Sequence, residues 1–454
     1  MININTIIDG AKVEITPELI ERYDRPLPRY TSYPPAPVWT KEIGEHDLIY
    51  SLAHTRSDTL SLYIHLPFCR TRCTFCACNA IATQKAGIIE SYIDRLIAEM
   101  DLIRCNMGTP LVQLSCLHWG GGTPTYLTEK QMGRLMRETL NRFSLATGAE
   151  VGIEADPRQT TTEKVRFARE LGFNRISFGV QDTNPEVQRA SGRIQDPEHI
   201  EALMGEAKSA RFDSVNIDLC YGLPLQDEKL FQKTTQDVIK LNPDRISLFN
   251  FAYVPWMQPH QRKIDSAMLP SPNIKLSMFV SAIEDFCGAG YHFIGLDHFA
   301  KDEDEMWRAR DTGALKRTFQ GYTAKAFAGL VGIGVSSISE IGDLYVQNEK
   351  NLAAYSRAIK NGRLPACRGY RLSSDDLLRR FVMQKIFCDQ RFSKNELTRL
   401  CKESQYRDFL ADGLIRESEK DFVVTPLGRL FIRNIAAAFD GHLKLQDNKY
   451  SRTV

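Results

Sequence analysis

Between residues 60 and 255 the apolar positions switch repeatedly between two periods. Six short runs, LSLYIHLPF, LSCLHWGGG, EVGIEAD, RISFGVQ, SVNIDLCYG and RISLFNFA, are rich in β-branched and aromatic residues and end in polar or glycine-rich turns. After most of them the apolar residues recur at helical spacing, in IIESYIDRLIAEMDLI, EKQMGRLMRETLNRF, TEKVRFARELG, PEHIEALMGEAKSA and EKLFQKTTQDVIKL. Strand and helix alternating at this interval predict an α/β chain with a mostly parallel sheet wrapped by helices. An open doubly wound sheet and a closed or partly closed barrel both satisfy the pattern, and in both the chemistry gathers at the carboxyl ends of the strands. Gly120 to Thr123, Glu154, Gln181 and Asp218 are expected at or just past such ends.

The pattern breaks at both flanks. Before the first strand runs DRPLPRYTSYPPAPVW, in which Pro26, Pro28, Pro34, Pro35 and Pro37 discourage helix. After about residue 367 the chain reads as helices, SSDDLLRRFVMQKIF and SKNELTRLC. DGLIRESEKDFVVTPLGRLFIRNIAAAF follows, giving a small, mostly helical domain with a two-stranded wing. The expected units are an arm over 1–55, a strand-helix domain over 56–366 and a winged-helix-like domain over 367–454.

Composition narrows the class. At 43% hydrophobic and 25% charged residues the chain is of ordinary globular type, and a net charge of only +2 argues against an obligate nucleic-acid binder. The start lacks the basic and apolar regions of a signal peptide, and no apolar run approaches the roughly 20 residues a membrane span needs. A cytoplasmic protein is therefore expected. In the reducing cytosol its eleven cysteines point to metal or redox chemistry rather than to a disulfide framework.

Four of those thiols fall within ten residues, at Cys69, Cys73, Cys76 and Cys78. The first three have the spacing of a buried helical stripe, but Pro67 and Phe68 precede them directly and Cys78 lies off the stripe. Zinc would accept four thiolates, although structural zinc sites usually draw two ligand pairs from separate segments. A cubane iron-sulfur cluster suits a single loop better, because its irons occupy separate corners and each takes one thiolate. Three thiolates then leave one iron open to a substrate or cosubstrate. The run Gly120-Gly121-Gly122-Thr123-Pro124 is either a plain turn or a place where backbone approaches a ligand without a Cβ in the way. Glu154, Gln181 with Asp182, Arg193 and Asp218 are either structural caps or polar contacts converging on one mouth.

The C-x3-C-x2-C motif at the end of a first strand resembles the radical S-adenosylmethionine (SAM) superfamily. The runs PRYTSYP, LSLYIHLPFC, CTFCACN, LHWGGGTPTYL, GFNRISFGVQD, NIDLCYGLP, LNPDRISLFNFA, LDHFA and RTFQGYT resemble, over nearly the whole chain, the oxygen-independent coproporphyrinogen III dehydrogenases. The resemblance implies a partial (β/α)6 barrel with an N-terminal arm over the active site and a small C-terminal domain. It further implies an oxidoreductase of haem biosynthesis that decarboxylates two propionates of coproporphyrinogen III to vinyl groups, giving protoporphyrinogen IX, through a 5′-deoxyadenosyl radical. Implied cofactors are one 4Fe-4S cluster on Cys69, Cys73 and Cys76, and two SAM molecules. The first SAM matches Tyr63, Gly121, Glu154 and Ala252; the second matches Phe75, Gly122, Thr123, Gln181, Arg193, Asp218 and Ile338. Cys78 matches a further cysteine that is required without being a ligand.

Arg29, Tyr30 and Tyr33 of the arm either cover a bound macrocycle, with the guanidinium meeting a propionate, or simply pack on the barrel. Gln320, Tyr322 and His298 are further candidates for the substrate cavity, His298 having a core histidine as its plainer reading. Trp256 stands where the family often has a smaller residue, and the sequence leaves open whether it alters the substrate cavity. Cys78 and the arm speak against a related haem chaperone; haem-degrading methyltransferases are a second relative, and a cluster-bearing DNA-binding regulator a reading from another class. Expected partners are coproporphyrinogen III, an external electron donor of flavodoxin or ferredoxin type and an unidentified acceptor, with no nucleic acid, no membrane and a monomeric state.

Overall fold

The computed structural model describes residues 3–8, 10–55, 59–109, 112–401, 403–443, 450 and 452–453. All six expected strands form: β1 (Thr59–Leu66), β2 (Gln113–Gly121), β3 (Ser144–Ala155), β4 (Arg175–Gln181), β5 (Ser214–Tyr221) and β6 (Arg245–Asn250). Each pairs in parallel with the next in chain order, through registers such as Tyr63↔His118, Glu154↔Ser177 and Gly179↔Asp218. The helices between them are Ala86–Asn106, Glu129–Leu140, Thr162–Glu170, Pro197–Ser209 and Glu228–Leu241. Thr128, Thr161, Asp196 and Asp227 cap four of these by accepting from first-turn N–H groups, each cap contributing about 1 kcal/mol.

Strand alternation decides what faces where. In β4 the buried positions are Ile176, Phe178 and Val180, and in β5 they include Val215, Ile217 and Leu219; Trp119 of β2 meets Phe173 edge-on at 5.0 Å. These side chains make the core between sheet and helices, each contributing about 1.5–3 kcal/mol on burial. The intervening positions face the concave side.

Further strands extend the sheet on both flanks. On one side β8 (His298–Lys301) pairs antiparallel with β6, and β7 (Tyr291–Gly295) pairs antiparallel with β8. On the other, β9 (Gly329–Ile333) runs parallel to β1 and carries the antiparallel strands β10 (Ile338–Ile341), β11 (Leu344–Asn348) and β12 (Ala366–Arg371). The strand order is β7-β8-β6-β5-β4-β3-β2-β1-β9-β10-β11-β12. Periodicity left barrel and open sheet undecided; the ladder ends at β7 and β12 without closing, which is the partial barrel.

The flanking units depart from their expected outlines. Residues 1–55 are not only an extended arm: a hairpin pairs Ile4–Ile8 with Ala11–Ile15, and helices span Pro17–Tyr23 and Glu45–His54. The proline-rich part between the helices holds no helix beyond a single 3-10 turn at Ala36–Val38. The boundary expected after residue 366 falls inside β12, and the C-terminal helices begin at Ser374. The expected wing, Ile415–Glu417 paired with Asp421–Val424, gains a third strand, Arg391–Ser393. Residues 444–449 of the expected C-terminal domain lie outside the described residues. No described helix is long and apolar enough to cross a membrane.

Candidate active site

Counting in twos along the strands builds the site. Glu150, Gly152 and Glu154 of β3, Arg175, Ser177, Gly179 and Gln181 of β4, Ser214, Asn216 and Asp218 of β5, and Arg245, Ser247 and Phe249 of β6 all line one cavity of about 800 Å³. That volume lies within the usual range for a small-molecule site. Its floor is at the amino ends of the strands and its rim at their carboxyl ends.

Ion pairs seal the floor. Arg175 reaches Glu150 at 3.3 Å and Glu305 at 2.5 Å; Arg245 reaches Asp304 at 2.8 Å; Lys325 reaches Glu305 at 3.0 Å. Burial pushes the Asp304 carboxyl up, but Arg245 outweighs it and holds the group below its usual range. Higher up, burial and then the charge of Glu154 push Asp218 up to about 6, although Ser177 Oγ at 2.9 Å and Asn216 Nδ2 at 2.8 Å donate to it.

The cysteine loop forms the rim. Its backbone is pinned from outside: Gln258 donates to the Ala77 carbonyl at 3.0 Å, His260 to that of Cys76 at 2.8 Å and Gln261 to that of Phe75 at 3.1 Å. The loop's own Thr74 donates to the Ser191 carbonyl at 3.0 Å. Cys69, Cys73, Cys76 and Cys78 all line the cavity. Arg158 and Arg193 each donate to Cys73 Sγ at 3.3 Å, and Thr123 Oγ1 lies 3.3 Å from Cys69 Sγ. Burial pushes the Cys69 thiol up to about 11, whereas a hydrogen bond from Cys78 pulls Cys76 down, with Arg72 and Arg193 adding to it. Asp156 lies between the two guanidiniums, 2.6 Å from Arg158 and 3.2 Å from Arg193. Burial pushes its carboxyl up, but Arg193 and Arg158 hold it below the usual range.

The glycines at the end of β2 are required by their own surroundings. A Cβ on Gly120 would lie 2.7 Å from Glu154 Oε1 and one on Gly122 2.6 Å from the Pro67 carbonyl, while Gly121 has φ +114°. The Gly121 N–H donates to Glu154 Oε2 at 3.0 Å, and His118 Nε2 lies 3.4 Å from Oε1. Burial pushes Glu154 up, yet His118 and the Gly121 N–H together hold it below its usual range. Its side chain keeps 40% exposure because it faces the cavity.

Most of the residues expected from sequence meet here: Arg29, Tyr30, Phe75, Gly121, Gly122, Thr123, Glu154, Gln181, Arg193, Asp218 and Ala252 all line the cavity beside the thiols. Asp218 sits within β5 rather than at its end. Tyr63 and Ile338 are not on the lining. Tyr63 is buried behind it, its hydroxyl 3.0 Å from His65 Nδ1 and its ring stacked on His118, and Ile338 packs against Trp39 and Tyr345. Asp182 is a structural group that accepts from Gln226 and the Asn184 N–H. Tyr33 meets the C-terminal domain through the Gly441 N–H at 3.0 Å. Trp256 is 59% exposed and off the lining, so it does not shape the cavity directly. Gln320, Tyr322 and His298 do line it. Sequence reasoning missed His118, Arg158, Ser177, Asn216, Arg175 and Arg245; stepping back by two from Glu154, Gln181 and Asp218 reaches Glu150, Ser177, Arg175 and Asn216.

The donor set fits a multi-iron group. The four thiols of a single loop face one cavity with two guanidiniums behind them, while among the described residues no three His, Cys, Asp or Glu side chains gather as one metal ion requires. His298 Nδ1 and Gln320 Nε2 are buried without a hydrogen-bond partner on the same lining, which suits a polar guest. A sequence profile described as the radical SAM superfamily matches residues 63–238. The oxygen-independent coproporphyrinogen III oxidase of Synechocystis sp. is 42% identical, with 97% of this chain and 98% of that protein covered. The one from Escherichia coli K12 is 41% identical, with 96% and 98% covered. A solved structure of coproporphyrinogen III oxidase from Escherichia coli, described as a radical SAM enzyme, superposes with a TM-score of 0.87 at 41% identity, covering 91% of this chain and 98% of that one.

Proposed function

Because the chain belongs to the radical SAM superfamily and, within it, to the oxygen-independent coproporphyrinogen III oxidases, we propose that the cavity between β1 and β6 is where propionates of coproporphyrinogen III are oxidatively decarboxylated. The chain is an oxidoreductase of haem biosynthesis, and its products are vinyl groups, carbon dioxide and, after two such reactions, protoporphyrinogen IX. When bound, the 4Fe-4S cluster and SAM supply the hydrogen-abstracting deoxyadenosyl radical.

Cys69, Cys73 and Cys76 hold the cluster. Arg158 and Arg193 each donate to Cys73 Sγ at 3.3 Å and fix where that ligand points. Glu154, Gln181, Asp218 and Arg193 offer carboxylate, amide and guanidinium groups to SAM, with Gly121, Gly122, Thr123, Phe75 and Ala252 shaping the space. Tyr63 and Ile338 act from behind the wall, Tyr63 by setting the rings of His65 and His118. Two SAM molecules are accommodated in this reading. Arg29 and Tyr30 meet the macrocycle, and the arm excludes water from one side. Cys78, hydrogen-bonded to Cys76, acts beside the cluster without binding it. An external low-potential donor supplies electrons and a separate acceptor removes them; the enzyme works as a cytoplasmic monomer. The basic side chains Arg429 and Arg433 of the C-terminal domain turn inward to main-chain oxygens of Phe293, Leu27 and Pro28, which supports an enzyme domain over a DNA-binding one.

The observation that carries this reading is the convergence of the four thiols of one loop with the polar ends of β3, β4 and β5 on a single cavity. The test is anaerobic reconstitution with SAM, a reductant and coproporphyrinogen III. Protoporphyrinogen and deoxyadenosine are expected, and both are lost with bound iron in Cys73→Ala. Deoxyadenosine without decarboxylated product would refute the substrate; full activity in the variant would refute the cluster assignment.

A further inference from the structure

Beyond the end of β6 lies a second, smaller cavity of about 40 Å³, lined by Arg29, Arg317, Arg429 and Arg433 with Asp297 as the carboxylate among them. A single water occupies roughly 10–15 Å³ on this measure, so the space takes about three waters or one carboxylate. Arg29 and Asn250 belong to the linings of both cavities, which places the smaller one next to the main one, with the bond from Arg29 to the Asn250 carbonyl between them.

Among the described residues the guanidiniums of Arg433, Arg317 and Arg29 donate to neutral acceptors. Arg433 donates to the carbonyls of Leu27, Pro28 and Arg452, Arg317 to that of Arg29 at 3.1 Å, and Arg29 to that of Asn250. Clamping the arm accounts for these bonds but not for so much positive charge in one place. Arg317 is 7% exposed and its Nε is buried with no partner; Arg429 is 2% exposed. The crowding is felt by the neighbours. Burial and then Arg29 pull Arg433 down to about 10, and burial outweighs Asp24 to pull Lys275 down to about 8, with Arg29 and Arg433 adding to it. A bound anion would relieve this repulsion, and planar guanidiniums are suited to a carboxylate.

We propose that this arginine-lined cavity seats a propionate carboxylate that the reaction leaves in place, and so sets which propionates reach the thiol end. The inference rests on the coproporphyrinogen reading above. Substrate and product both carry the retained carboxylates, so the seat is filled throughout the reaction and distinguishes the groups that stay from those that leave. Arg317 is then a specificity-determining residue.

The test is binding of mesoporphyrin IX, a diacid, and of its dimethyl ester to the full chain, read by fluorescence quenching, beside turnover of coproporphyrinogen III. The diacid is expected to bind about tenfold more tightly than the ester. Arg317→Gln removes that preference by weakening the diacid alone, and Arg317→Lys restores part of it. Inorganic phosphate competes with the diacid and not with the ester. Equal affinity of the unaltered protein for acid and ester, or phosphate binding alongside the diacid without competition, overturns the seat while turnover still stands. Equal weakening of both porphyrins in Arg317→Gln also overturns it, since a merely structural arginine would do that. No turnover by the unaltered protein would refute the reading on which the seat rests.

Discussion

The floor and the rim of the main cavity are built from the same materials and differ in their balance. On the floor Arg175, Arg245 and Lys325 meet Glu150, Asp304 and Glu305, so cation and anion match. At the rim Arg158 and Arg193 share the one carboxylate of Asp156, and each donates besides to Cys73 and to a main-chain carbonyl, Arg158 to that of Gly192 and Arg193 to that of Gly179. A network balanced in charge adds little net stability, but leaving one of its charges alone is costly. A network short of an anion is arranged for a guest, here a thiolate and what it binds. The first region holds the strands in place; the second does the binding.

The loss of iron and product in Cys73→Ala is the largest effect expected anywhere in the chain, and it falls at the rim. On the floor, Arg245→Met strips Asp304 of its 2.8 Å partner and is expected to cost about 3–5 kcal/mol in urea unfolding. A loss below about 1 kcal/mol would mean that the floor is not a closed network. Between the two regions, Asp218 has its folded-state pKa raised from 3.8 to about 6. The native state therefore holds this proton more tightly than the unfolded chain, and stability from this group is lost as pH rises from about 4 through about 6. Asp218→Asn lacks that loss, so it gains on the unaltered protein across the same window by at most about 3 kcal/mol. Melting curves at pH 4.5 and 7.5 check the sign. At the rim, Arg158→Met leaves Asp156 paired with Arg193 and is expected to cost only about 1–2 kcal/mol while lowering iron loading sharply. An outcome in which stability falls as far as in Arg245→Met would erase the contrast. Last, Arg166→Ala breaks an exposed pair with Glu206 and should change stability by less than about 0.5 kcal/mol.

How far the sequence could be read follows from the length of each signal. The six parallel strands and five helices were legible because each run is long enough to show its period. Short strands were not: Lys316–Thr318 and Arg391–Ser393 are three residues each, and the flanking strands from β7 to β11 carry four or five. The cysteine loop was legible as chemistry, but the residues that pin it, Gln258, Gln261 and Ser191, come from elsewhere in the chain and carry no local mark. Tyr63 and Ile338 matched by resemblance and lie off the lining, because a match of positions says nothing about which side of a wall a residue occupies.

The alternation along β3 to β6 has a consequence for how such a chain tolerates change. Neighbouring residues of one strand answer to different demands: Ile176, Phe178 and Val180 keep the sheet on its helices, while Ser177, Gly179 and Gln181 face only the cavity. Above the ion-paired floor of Glu150, Arg175 and Arg245, the polar lining contributes little to holding the chain together, so its residues are open to replacement without loss of the scaffold. Changing which macrocycle is accepted would then be a matter of every second residue, and the others would be left untouched.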